Sequence, residues 1–86
     1  MTVNIEVPDY SQENGVESRW EGNFLLETAY VEGSFIIKGN KEGLISLGIQ
    51  LLTLAQDDVP LHAHLHYDDL NSLEEESVEF IIEKAY

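Results

Sequence analysis

Apolar and polar positions along the chain change their period twice, and the changes mark out strands on both sides of a single helix. Val3, Ile5 and Val7 alternate with Thr2, Asn4 and Glu6, the pattern of a half-covered strand, and Pro8 ends it. Asp9 to Glu21 is polar and turn-rich, with Asn14-Gly15 inside it and Trp20 the exception. Phe24 to Leu26 and Ala29 to Lys38 are again strand-like, and Gly33 predicts a bulge or close packing in the second. Toward the C-terminus Leu61, Ala63, Leu65 and Tyr67 alternate with His62, His64 and His66, and Val78, Phe80 and Ile82 alternate with Glu79, Ile81 and Glu83. Between these two strands, Ser72 and Glu75 have the spacing of a capping box, which predicts one helical turn.

The segment from Phe35 to Gln56 shows a strand turning into a helix. Gly39-Asn40 ends the apolar run, and the Asn40 side chain is suited to accept a bond from a free backbone N–H of the first helical turn. At 100° per residue, Leu44, Ile45, Leu47, Gly48, Ile49, Leu51, Leu52, Leu54 and Ala55 cover an arc of roughly 220°. Glu42, Ser46, Gln50 and Thr53 are left as a polar stripe. This pattern predicts a helix covered on most sides, with Leu47 and Leu51 buried. Gly48, near the middle of the arc, is expected to let the helix approach a sheet closely.

The expected fold is therefore α+β, a two-layer sandwich in the order β-β-β-α-β-β: a mostly antiparallel sheet of about five strands with one long helix packed on one face. By alternation the other face carries Asn4, Glu6, Tyr30, Glu32, Ser34, Ile36, Lys38, the three histidines, Glu79, Ile81 and Glu83. That mixture suits contact with a protein.

Composition narrows the picture. The 86 residues make one domain, 1–86, with room for a single small core. Absence of cysteine removes disulfides and thiolate metal sites. With neither a basic leader nor a long apolar run, the chain reads as soluble and cytoplasmic. Seventeen acidic residues against four basic ones give a net charge of −13, which argues against nucleic acid and against anionic membrane as ligands. The sharper consequence of such a surface is a basic protein partner.

Candidate chemistry is sparse. His62, His64 and His66, with Asp68 next in phase, have a spacing that could hold a metal ion on one sheet face. The competing account is a row of surface histidines pairing with glutamates or a partner, since no apolar pocket or acceptor for the outer ring nitrogens is evident. Gly39 to Gly43 lacks the ending of a phosphate-binding loop. No nucleophile with an assigned base is found, and runs such as Glu74 to Glu76 fit a solvated face better than a catalytic carboxylate pair. No catalytic residue, cofactor or resident metal is therefore expected. Trp20 fits either core packing or an interface anchor.

Gly39-Asn40, Gly43-Leu44, the leucine-rich helix SLGIQLLTLAQ, His64-x-His66 and the segment SLEEESVEFIIEK together resemble the immunity protein 32 family of bacterial polymorphic toxin systems. The resemblance covers Ser34 to Lys84, and Trp20 fits the family's tryptophan. Gly48 stands where the family pattern has alanine. The resemblance implies a small α+β protein, not an enzyme, that binds and neutralises a cognate toxin; such toxins are often nucleases. On this reading the partner-binding residues are Trp20, Tyr30, Glu32, Asp68, Asp69, Glu74, Glu75 and Glu76. A metal-binding domain built on His62, His64, His66 and Asp68, and homodimerisation through the free sheet face, are the alternatives.

Overall fold

Residues Leu26–Val31 (β1) and Ser34–Gly39 (β2) form one antiparallel hairpin, and His64–Tyr67 (β3) and Phe80–Glu83 (β4) form another, with the helix Lys41–Leu54 (α1) between them in sequence. The computed structural model describes all residues, Met1–Tyr86. The order is thus β-β-α-β-β in two two-stranded sheets, which corrects the expected single sheet of about five strands with three ahead of the helix.

Three local causes account for the difference. Residues 1–10 carry no regular structure, and Val3 and Ile5 are exposed, because this segment finds no strand edge to pair with. Its successor is instead tied down by helix side chains: Gln56 Nε2 donates to the Pro8 carbonyl (2.8 Å), Gln56 Oε1 accepts from Tyr10 N–H (3.1 Å), Gln50 Nε2 donates to the Arg19 carbonyl (3.2 Å) and Ser46 Oγ accepts from Glu21 N–H (2.7 Å). Second, the stretch read as one strand from Ala29 to Lys38 folds back at Glu32-Gly33, where φ is +50° and +84°, a pair of left-handed residues that suits a two-residue hairpin turn. Gly33 therefore makes the turn and no bulge.

Third, the two hairpins almost join. Glu74 N–H donates to the Leu26 carbonyl (2.9 Å) and Val78 N–H to the Thr28 carbonyl (3.2 Å), so residues 74–78 run beside β1. The ladder does not continue because Glu76 is left-handed (φ +68°) and because Ser77 and Thr28 substitute side-chain bonds, Thr28 N–H donating to Ser77 Oγ and Thr28 Oγ1 to the Val78 carbonyl. Ser72 to Glu75 form turns, not the helical turn expected of a capping box.

The largest correction concerns the helix. Its buried residues are Gly43, Ser46, Ile49, Gln50, Thr53 and Leu54, while Leu44, Leu51 and Leu52 are 52%, 43% and 51% exposed. Much of the expected wet stripe is inside and part of the apolar arc is outside. Leu47 is half-buried against the core, and Leu51 is not covered. The inversion is possible because every buried polar side chain on α1 has a partner. Gln50 Oε1 accepts from Tyr67 Oη (2.7 Å), Ser46 Oγ donates to the Glu42 carbonyl (2.7 Å) and Thr53 Oγ1 to the Ile49 carbonyl (2.7 Å), leaving no side-chain polar atom buried and unbonded.

A small core lies where the hairpins meet α1: Leu26, Tyr67 and Leu73, packed by Trp20, Leu47, Leu65, Phe80 and Ile82. Tyr67 stacks on Phe80 at 4.5 Å and meets the edge of Trp20 at 6.2 Å. The turn into the helix is fastened by Asn40. Its Oδ1 accepts from Gly43 N–H (2.7 Å) as a cap and from Leu25 N–H (2.9 Å), and its Nδ2 donates to the Asn23 carbonyl (2.9 Å). Gly43 is required here, since a Cβ would overlap the Leu25 carbonyl oxygen. Gly48, by contrast, touches no sheet: a Cβ there would meet nothing within 4 Å.

Candidate functional site

The connection from β3 to β4, residues 68–79, carries five of the candidate residues on one ordered turn. Asp68 begins it. Its carboxylate accepts from Leu70 N–H (3.0 Å) and Asn71 N–H (3.1 Å), and its carbonyl accepts from Ser72 N–H (3.1 Å) and Leu73 N–H (2.9 Å). An Asp favours this geometry because its short side chain closes onto the backbone two and three residues ahead. Leu73 then enters the core and Glu74 N–H bonds to β1, so the chain is pinned before and after the acidic run. Asp69, Glu74, Glu75 and Glu76 are all exposed on this frame, and Asp68 is half-buried by its own turn. At the tip between Asp69 and Asn71, Leu70 is 93% exposed.

Tyr30 and Glu32 stand at the end of the other hairpin. Tyr30 is 69% exposed, with its ring 5.4 Å from that of its cross-strand partner Phe35, and Glu32 occupies the turn itself. The register pairs Tyr30 with Phe35 and Ala29 with Ile36, so Tyr30 shares the face of Leu26 and Thr28. That corrects the expected wet face, which placed Tyr30 together with Ile36 and Lys38. Tyr30 is exposed because the hairpin tip overhangs the core.

Trp20 is placed differently. It is half-buried, stacked on Phe24 at 4.4 Å and packed on the core beside Tyr67, so it supports the fold more than it presents a surface.

The histidines do not form one row. His62 lies outside β3 in a left-handed conformation (φ +75°), with Nδ1 3.3 Å from Glu83 Oε2. His64 Nδ1 is occupied by the His62 carbonyl at 3.0 Å, its ring meets that of His66 edge-on at 4.9 Å, and Asp68 is engaged by its own turn. No group of three or more His, Asp or Glu side chains converges on a point where a metal ion could sit. The alternation of residues 61–67 concealed the kink at His62, for which the sequence gives no glycine signal.

Three open clefts mark the surface, the roomiest about 570 Å³ between the N-terminal segment and α1, lined by Val3, Ile5, Ile45 and Ile49 with Arg19 and Glu42 among its polar groups. The Tyr67 phenol is pushed up to about 12 by burial. Its hydroxyl is committed to Gln50, so the shift belongs to the core and not to a reaction.

Sequence reasoning missed two exposed apolar features. Leu70 was hidden as a single leucine within a polar turn, with no periodicity to announce it. Leu44, Leu51 and Leu52 were assigned inward because an apolar arc is ordinarily the covered one.

No helix is long and apolar enough to cross a membrane. No curated protein and no solved structure matches the chain. The immunity protein 32 family matches residues 34–85, a span that takes in β2, the Asn40 fastening, α1 and the acidic turn. With more than half its length fitted, the chain belongs to the immunity protein 32 family.

Proposed function

We propose that this chain neutralises a basic toxin in the cytoplasm by forming a stoichiometric complex with it, and that the toxin is a nuclease whose anionic substrate the acidic surface displaces. The observation that carries the reading is the turn at residues 68–76, where Asp69, Glu74, Glu75 and Glu76 are exposed on a backbone already fixed by its own hydrogen bonds. Preformed charge loses little entropy on binding. The family supports the partner class, and the net charge of −13 supports its sign. Leu70, exposed at the tip next to Asp68 and Asp69, supplies an apolar anchor for a partner to desolvate. Tyr30 and Glu32 extend the surface from the hairpin tip. Inhibition on this account involves no reaction by the chain itself.

Opposite charges steer encounter and raise association above an unsteered rate of about 10⁵–10⁶ M⁻¹s⁻¹, an advantage that fades as the Debye length shortens. The test is expression of the toxin domain encoded beside this chain in a sensitive cell, with and without the chain, together with stopped-flow association from about 50 to about 500 mM salt. Growth is expected to be rescued and association to slow as salt rises. Glu74→Lys with Glu75→Lys slows association, whereas Leu70→Ala speeds dissociation. Continued growth arrest with both proteins folded, or an association rate indifferent to salt, overturns the reading.

A further inference from the structure

The outward stripe of α1 consists of Leu44, Gly48, Leu51, Leu52 and Ala55, and its three leucines are about half exposed. Positions 44, 48, 51 and 55 repeat at four, three and four residues, the seam spacing of paired helices. Gly48 lies at the centre of the seam, seven residues from Lys41 and seven from Ala55. A Cβ at Gly48 would meet nothing within the chain, so a glycine that costs the helix about 1 kcal/mol against alanine has no internal justification.

Charge supplies the second argument. The seam is neutral along its length in a chain of net charge −13, and charges appear only at its ends: Lys41, in phase with the stripe, and Glu42, off it to one side, at the start, and Asp57 and Asp58 just beyond the finish. The other cations are engaged within the chain. Lys38 pairs with Glu27 at 3.8 Å, Lys84 Nζ donates to the Gln56 and Val59 carbonyls, and Arg19 donates to the Glu6 carbonyl. Lys41 has neither an ion pair nor a side-chain hydrogen bond.

We infer that a second copy of this chain covers the stripe, the two α1 helices packing antiparallel about a two-fold axis that passes through Gly48. Crossing at that point sets Leu44 of each copy against Leu52 of the other and lets the backbones approach where no Cβ intervenes. It also carries Lys41 to the far end of the other helix, beside Asp57 and Asp58. A parallel pair would instead set Lys41 against Lys41 and acid against acid. This surface is the outer face of the helix, not the sheet face, and the inference does not depend on the toxin reading. The helix has 14 residues and so is about 21 Å long. Its seam buries less than the roughly 1,200–2,000 Å² of a standard interface, so the dimer is weak and reversible, populated as concentration rises from about micromolar toward about millimolar.

Sedimentation equilibrium from about 1 μM to about 1 mM should show a monomer–dimer equilibrium. Leu51→Glu abolishes it with an unchanged circular dichroism spectrum. Because the chain has no cysteine, Gly48→Cys gives one thiol at the axis, and mild oxidation should yield a covalent dimer, since a disulfide needs Cα atoms about 4.4–6.8 Å apart. Gly22→Cys, at another open glycine off the leucine stripe, should not cross-link under the same conditions. Lys41→Asp and Asp57→Lys each weaken the dimer and together restore it; general repulsion would instead let Asp57→Lys strengthen it. A monomer at millimolar concentration, equal cross-linking of the two cysteine variants, or loss of toxin binding by Leu51→Glu from a chain that is monomeric throughout overturns the inference. The last result would assign the stripe to the toxin.

Discussion

Replacing Asn40 by alanine removes three hydrogen bonds at the point where β2 becomes α1, and the consequence can be worked out bond by bond. Loss of the cap to Gly43 N–H costs about 1 kcal/mol. The bonds from Leu25 N–H and to the Asn23 carbonyl contribute roughly 0.5–1.5 kcal/mol each, at the lower end here because water reaches both. Asn40→Ala should therefore lose about 2–3 kcal/mol from a domain whose total, at its length, is about 4–13 kcal/mol. Asn40→Asp keeps both bonds accepted by Oδ1 and adds a favourable charge at the helix start, losing only the donor to Asn23, so it should cost about 1 kcal/mol or less. Urea unfolding followed by circular dichroism separates the two. With a slope of about 1 kcal/mol/M, alanine should lower the midpoint by about 2 M or more and aspartate by about 1 M or less. Equal midpoints for the two variants, or an alanine shift below about 0.5 M, would refute the three-bond fastening.

Gly43→Ala should destabilise at least as much as Asn40→Ala, because the new methyl meets the Leu25 carbonyl, a backbone group that moves only by opening the turn; thermal melting checks this. Ile49→Ala should cost roughly 2–5 kcal/mol, whereas Leu51→Ala at the same length of helix should cost under about 1 kcal/mol, measured at micromolar protein; the reverse order would mean the helix is rotated. Tyr67→Phe leaves the buried Gln50 Oε1 without its donor, at about 1–3 kcal/mol. The Tyr67 phenol is raised from an ordinary 10.0 to about 12, so the folded state retains a proton that the unfolded chain gives up. The stability it provides is whole below about pH 10 and is lost between about pH 10 and 12, with a slope of up to about 1.4 kcal/mol per pH unit that Tyr67→Phe should abolish in alkaline unfolding.

The strands flanking the helix and the Asn40 cap were legible in the sequence because their signals are local: alternation for β3 and β4, β-branched and aromatic residues for β2, and an Asn ahead of a helical run. The exposed acids at 69 and 74–76 followed from charge alone. What could not be read was decided by partners distant in the chain. Ser46 and Gln50 look like solvent-facing residues until Glu21, Arg19 and Tyr67 are brought to them. Val3, Ile5 and Val7 alternate as a strand does, yet alternation supplies no neighbour to pair with. The positive φ at Glu32, His62 and Glu76 falls on residues that carry no turn signature, which is why one expected strand became a hairpin, the histidine row broke and the junction of the two sheets was lost.

The attachment of the N-terminal segment to the helix by Gln56, Gln50 and Ser46 has a consequence for how the molecule opens. These contacts are made by amides and a hydroxyl, each of which water can replace, and residues 8–18 are hydrogen-bonded to the helix end only through Gln56, whereas Trp20 stays packed on Tyr67. Such a segment can detach and return below the free energy of global unfolding while Trp20 remains on the core. The amide proton at Tyr10, held by Gln56, should then exchange earlier than those of α1.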